Sequence, residues 1–193
     1  GDFMLFVRLA QLMANKRLKI ADVCKDVEIS RPTLTALYYG TSKGINFDTV
    51  NKLCSYFRCQ TNDLLYFYNV DIEAIEITNF DDSLTPDKNG EWPGPMEPLH
   101  LCQGEILFKS FQNPKFRTAF VLDCTTAFDN GRPFICIDFH MDNKVSLPYL
   151  PENLRFEFGE RLVKTVFEKI QKEHNVDIPT EPAFFFDIPF FDK

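Results

Sequence analysis

Residues 18–40 read LKIADVCKDVEISRPTLTALYYG. Ile20, Val23, Cys24 and Val27 recur at helical spacing, and a short break at Glu28-Ile29 ends that run. Ser30-Arg31-Pro32-Thr33 then gives a start signal. The Ser30 hydroxyl can cap free backbone N–H groups, and proline tolerates the first helical turn. Leu34, Leu37 and Tyr38 supply the next buried stripe, and Gly40 stops the helix as a glycine just past a helix end does. The pattern predicts two short helices joined by a tight turn.

The flanks repeat the theme. Met4, Leu5, Leu9, Leu12 and Met13 are spaced for one helix over 4–15, with Arg8, Gln11 and Asn15 between them. After the loop Thr41-Ser42-Lys43-Gly44, Asn46 or Asp48 can cap a helix running to Phe57, with Val50, Leu53, Cys54 and Phe57 inward. Thr61 with Leu64 and Leu65 marks a last short helix. Five short helices with brief connections, in about 65 residues, predict a compact all-α unit.

Beyond residue 70 the texture changes. Residues 81–98 hold four prolines and two glycines among polar residues, the composition of a connector. Runs of β type follow at Glu105–Phe111, Arg117–Thr125 and Pro133–Met141. Asn130-Gly131 between the last two is a hairpin signal. Val163, Val166, Phe167 and Ile170 outline an amphipathic helix ending near His174 and Asn175, while 154–158 fit its opening or a strand equally well. The expected organisation is an all-α unit at 1–70, a connector at 71–100 and an α+β unit at 101–193.

Charge divides the chain at the same place. Residues 1–70 carry nine Lys/Arg against six Asp/Glu, a net +3; the remainder carries 12 against 22, a net −10. A basic part followed by an acidic part points to two units with different partners. The six cysteines show no CxxC pair and no regular spacing, which predicts reduced thiols in a cytoplasmic protein. No run of about 18 apolar residues offers a membrane span, and no signal peptide is expected.

The segment 18–40, continued through TSKGINFDTVNKLCSYFRCQTNDLLYF, resembles the Cro/cI-type (lambda-repressor-like, XRE) helix-turn-helix family over about a third of the chain. The resemblance implies that the second helix of the motif docks in the DNA major groove. Cys24 stands where the family has a small residue at the helix crossing, Ile29 is the buried turn residue, Ser30 is the helix cap, and Leu34 and Leu37 anchor the helix. Arg31, Pro32, Thr33 and Ala36 then face base edges. Arg31 suits the O6/N7 edge of guanine, and Thr33 and Ala36 suit thymine methyls. Thr35, Tyr39, Thr41, Ser42 and Lys43 fall where phosphates lie. The sequence departs from the family at Glu28, a frequent glycine, and at Ile20, a frequent glutamine, for which Lys19 is the substitute. A helix-turn-helix used only for protein contacts is the alternative.

The implied function is sequence-specific binding of double-stranded DNA by a transcriptional regulator, a repressor of a phage, mobile-element or bacterial operon, acting as a homodimer. The second unit would supply dimerisation, small-molecule sensing or protein binding. A bifunctional alternative keeps the autoregulatory first unit and makes the acidic unit an inhibitor or antitoxin that imitates DNA. That reading needs the acids in a stripe on one face.

Catalytic and metal motifs are weak. His100, His140 and His174 with Cys102, Cys124 and Cys136 lack the paired spacing of a zinc site, so no metal or cofactor is expected. A Ser–Lys self-cleaving arrangement has only Ser110 with Lys144 to recommend it, and no enzyme activity is expected. The tail from Phe184 to Phe191 holds five Phe in eight residues. It must pack across its own unit as a final strand or against another subunit.

Overall fold

The computed structural model describes residues 4–81, 99–111, 115–129, 132–175 and 183–192. The chain divides between Asn69 and Val70 into two compact units. The stretch 71–100 opens with a strand that belongs to the second of them.

The first unit contains β1 (Met4–Val7), α1 (Leu9–Asn15), α2 (Ile20–Asp26), α3 (Arg31–Tyr38), α4 (Phe47–Phe57), α5 (Thr61–Leu64) and β2 (Leu65–Tyr68). Its five helices enclose one core of Leu9, Met13, Val23, Val27, Leu34, Leu37, Val50, Leu53, Phe57 and Leu64. The expected helix over 4–15 is corrected at its start. Met4–Val7 is a strand, antiparallel to Leu65–Tyr68, with Phe6 opposite Tyr66 and Leu5 opposite Phe67. Four consecutive apolar residues satisfy a strand as well as a helix. The aromatic-rich partner about 60 residues away settles the choice by offering a ladder. Leu65, read as the end of the last helix, instead opens β2.

Three helix ends in this unit follow one pattern. Arg17, Gly40 and Arg58 take left-handed backbone angles, with φ of 55°, 66° and 51°, just after α1, α3 and α4. At each, the following residue donates its N–H five residues back: Leu18 to Met13 O at 3.0 Å, Thr41 to Ala36 O at 2.9 Å, and Cys59 to Cys54 O at 3.1 Å. This satisfies carbonyls that the helix itself leaves unpaired.

The second unit holds a five-stranded sheet in the order β3-β4-β5-β6-β7. Its strands are β3 (Val70–Phe80), β4 (Leu99–Ser110), β5 (Phe116–Asp129), β6 (Arg132–Met141) and β7 (Ala183–Asp187). The first four pair antiparallel in chain order, and β7 joins β6 in parallel after the crossover helix α6 (Glu152–His174). Residues 154–158 are therefore helical. The turn residues Asn130 and Gly131 lie outside the described residues, as does 82–98; the ladder nevertheless closes with Asp129 opposite Arg132.

One sheet face is apolar, with Ile106, Phe108, Phe120, Leu122, Ile137 and Phe139 buried. The stripe of α6 that includes Phe158, Leu162, Val166 and Ile170 is buried too. Gly159 lets α6 and β7 approach: a Cβ there would stand 2.3 Å from the Phe186 ring. The Phe-rich tail is thus the edge strand of its own unit, and Phe190 follows it with the Arg155 guanidinium 5.0 Å from its ring centroid.

Candidate nucleic-acid interface

The geometry of α3 begins at Ser30, whose extended backbone carries the N-cap. Its Oγ accepts from Thr33 N at 3.3 Å and lies 2.8 Å from Thr33 Oγ1. Proline at the second helical position has no N–H to leave unpaired, so the first turn costs little. Leu34 and Leu37 are buried and fix the roll of the helix. That roll leaves Arg31, Pro32 and Thr33 exposed, with Thr35 and Ala36 partly covered.

Turn residue Glu28 is absent from the positive-φ positions of the chain, so the turn needs no glycine. Val27 and Ile29 are joined there by an Ile29 N to Val27 O bond of 2.6 Å. At the start of α2, the Lys19 side chain is exposed while its backbone N–H donates to Asp22 Oδ2 at 2.9 Å. Lys19 is accessible there, although a carboxylate shares its turn.

Past α3, the Ala36 carbonyl gathers Thr41 N and Ser42 N, the latter at 3.3 Å, and receives the Thr41 hydroxyl at 3.4 Å. The Ser42 hydroxyl donates to Gly44 O at 2.6 Å. These bonds shape the loop and occupy both hydroxyls in its own backbone. Lys43 and Tyr39 are left exposed, the Tyr39 ring set edge-on to Tyr38. Among the described residues, no ion pair or hydrogen bond engages the side chains of Arg31 or Lys43.

Two further groups brace the motif, with little local signal to mark them. Lys52 Nζ donates to Glu28 O at 3.2 Å and pairs with Asp48 at 2.9 Å, while the Tyr56 hydroxyl donates to Asp26 Oδ2 at 2.8 Å. The bond to Asp26 pushes the Tyr56 phenol above its usual range, helped by burial and by the Asp26 charge. The bond to Asp48 raises Lys52. Lys52 and Tyr56 stand four residues apart, hence on one face of α4, which was the available clue. Phe47, beside the Asn46 cap, is 89% exposed at the start of α4 and was also missed.

Among its described residues, the second unit does not bring the expected His, Cys, Ser and Lys candidates together. His100 is exposed and bonds through Nδ1 to Asp123 Oδ1, whereas Cys102 is buried. Burial pushes the Cys102 thiol up to about 12 and the Cys124 thiol up to about 11, so both are protonated at neutral pH. Ser110 is buried at the end of β4, while Lys144 is mostly exposed and pairs with Asp142 at 3.6 Å. Among the described residues, no group of three or more His, Cys, Asp or Glu could hold a metal ion. No described helix is long and apolar enough to cross a membrane.

Comparisons of the chain with curated proteins and with solved structures gave no match. The residues beyond 69 are assigned to no family. The N-terminal region does match a family model, and the match spans the five helices and the exposed face just described: residues 8–69 match the Cro/C1-type HTH DNA-binding domain.

Proposed function

We propose that the protein is a sequence-specific transcriptional regulator that represses its target operon as a homodimer. The observation that carries this reading is the exposed start of α3. Arg31, Pro32 and Thr33 stand free on a helix whose opposite side is locked by Leu34 and Leu37. A guanidinium at that place can pair bidentately with guanine, and proline and a threonine methyl can contact thymine. The Thr33 hydroxyl lies in hydrogen-bonding contact with Ser30, which favours the methyl as its contribution. Tyr39 and Lys43, with the loop between them, suit phosphates and fix register rather than sequence. Thr35 and Ala36 are partly covered and contribute at the rim of the same face.

A dimer follows from area and geometry. One small helical unit covers too little DNA for useful specificity, and paired half-sites require a fixed separation. The second unit supplies that link, with Phe185 and Phe191 among its exposed apolar groups.

The distribution of acids favours this reading over imitation of DNA. Asp71, Glu73, Glu76 and Glu105, Asp142, Glu157 and Glu173 pair with Lys109, Lys115, Arg117, Lys144, Arg161 and Lys169. These seven sit on strands, a loop and a helix, each beside a base, rather than in one unpaired stripe.

The test is to sequence random duplexes retained by the purified protein at moderate salt. A recurring inverted motif with half-sites one helical turn apart is expected. Retention with no enriched sequence would leave general DNA affinity and remove the operator reading.

A further inference from the structure

The three similar helix ends differ in one respect. The paired backbone bonds that close each helix bring the residue three before the cap over the second residue beyond it, and an apolar contact normally fills that place. In α1 the two residues are Met13 and Leu18, both part of the helical core. In α4 they are Cys54 and Cys59. The Cys59 N–H to Cys54 O bond of 3.1 Å sets the two residues side by side at the end of α4. Both side chains pack on the core yet remain partly exposed.

We propose that Cys54 and Cys59 form a reversible dithiol–disulfide site, which takes low-molecular-weight disulfides such as oxidised glutathione as its oxidant. A disulfide needs neighbouring Cα atoms at a restricted separation and converging Cβ vectors. The Cys59 N to Cys54 O bond, with the Arg58 N to Ser55 O bond at 3.3 Å beside it, already holds the main chain in a closed loop. The S–S bond can therefore form with side-chain rotation in place of refolding.

The exchange has two steps. The Cys54 thiolate attacks one sulfur of the oxidant and expels the first small thiolate, leaving a mixed disulfide. The Cys59 thiolate then attacks the Cys54 sulfur and expels the second. Two protein thiols lose two protons and two electrons, and the small disulfide becomes two thiols.

The surroundings set the rate. Burial first, then the adjacent Cys54, pushes the Cys59 thiol up; Asp63 acts in the same sense and Lys16 in the opposite one. The closing step therefore quickens as pH rises through the mildly alkaline range, because the thiolate is the nucleophile. The buried Cys102 and Cys124 are poor competitors, held protonated by their surroundings.

The full-length folded protein is treated with oxidised glutathione, its remaining thiols are blocked, and it is digested with trypsin. Cleavage after Lys52 and Arg58 releases residues 53–58 and 59–88 as separate peptides unless a disulfide joins them. The expected product is that linked pair, separated again by reductant and absent from Cys59→Ser, which retains glutathione on Cys54. Thiols that are both still blockable, stable glutathione on the two separate peptides, or a linkage seen only in denaturant would each overturn the proposal.

Discussion

Arg31 and Lys43 are both exposed cations within 13 positions of each other, yet they should fail differently when removed. Arg31 stands at the start of α3, where the proposed bidentate contact would discriminate bases. Arg31→Ala should cost roughly 1–3 kcal/mol of operator binding and relax preference at one base pair. Lys43 follows α3 in a loop whose hydroxyls are spent on its own backbone, so its ammonium is the group available for a phosphate. Lys43→Ala should weaken specific and non-specific binding alike and lower the salt slope by about one unit. Binding isotherms on operator and scrambled duplexes across a salt series separate the two. Equal losses on both duplexes for Arg31→Ala would move that side chain to the backbone. Ser30, Leu34 and Leu37 were readable because their roles depend on immediate neighbours: a cap acts three residues away, and a buried stripe repeats every turn. Phe47 was not readable, because nothing local distinguishes an exposed phenylalanine from a buried one.

At the scale of elements, α4 is tied to α2 through Tyr56 and to the turn after it through Lys52. The Tyr56 phenol donates to Asp26, and its folded-state pKa lies above the ordinary value of 10. The raised value fixes the sign: this contribution to stability is fully present below the unfolded pKa and is lost as pH rises through the folded one. The native protein should therefore lose part of its stability in the alkaline range above about pH 10. Tyr56→Phe should be less stable at neutral pH and lack that part of the loss. Chemical denaturation at neutral and alkaline pH, read by circular dichroism, measures both. The junction of α6 with β7 is the other contact to test. Because a Cβ at Gly159 would meet the Phe186 ring, Gly159→Ala must displace that ring, the strand or the helix. A loss of about 1–3 kcal/mol is expected from overpacking, read as a lower denaturation midpoint. An unchanged midpoint would mean that Phe186 can turn aside without cost.

For the whole molecule, the division between Asn69 and Val70 predicts that a fragment ending at residue 70 folds as a helical unit. It should bind DNA in a salt-dependent way, with lower affinity and a shallower salt slope than the full chain, since the dimer contacts proposed for the second unit are gone. A folded fragment with no salt-dependent affinity would contradict the placement of DNA binding in the first unit. Removal of residues 184–193 has a sharper expectation now that this segment is a sheet strand. β7 pairs with β6 over Cys136 to His140, and Leu147 N donates to Pro189 O at 2.8 Å just beyond it. The truncated chain should lose the circular dichroism of the second unit. If that unit stays folded while sedimentation shifts toward monomer, the tail belongs to a subunit contact instead.

The residues alone settled those features whose causes lie close together along the chain. The α2–turn–α3 pattern, the Ser30 cap, the Gly40 stop, the change from basic to acidic and the alternating β runs all depend on neighbours within a few positions. Contacts between distant segments settled the rest. Met4–Val7 became a strand because Leu65–Tyr68 was there to pair with it, and 154–158 became helix as the first turns of α6. Val70–Phe80 joined a sheet because β4 lay alongside. The Phe-rich tail closed its own sheet in parallel, beside the one glycine of α6 that admits Phe186. In each case a hydrogen-bonded ladder or a close helix–strand contact between distant segments supplied the difference. Such partners carry no mark in the adjoining sequence, because the free energy that selects them is released only when the segments meet.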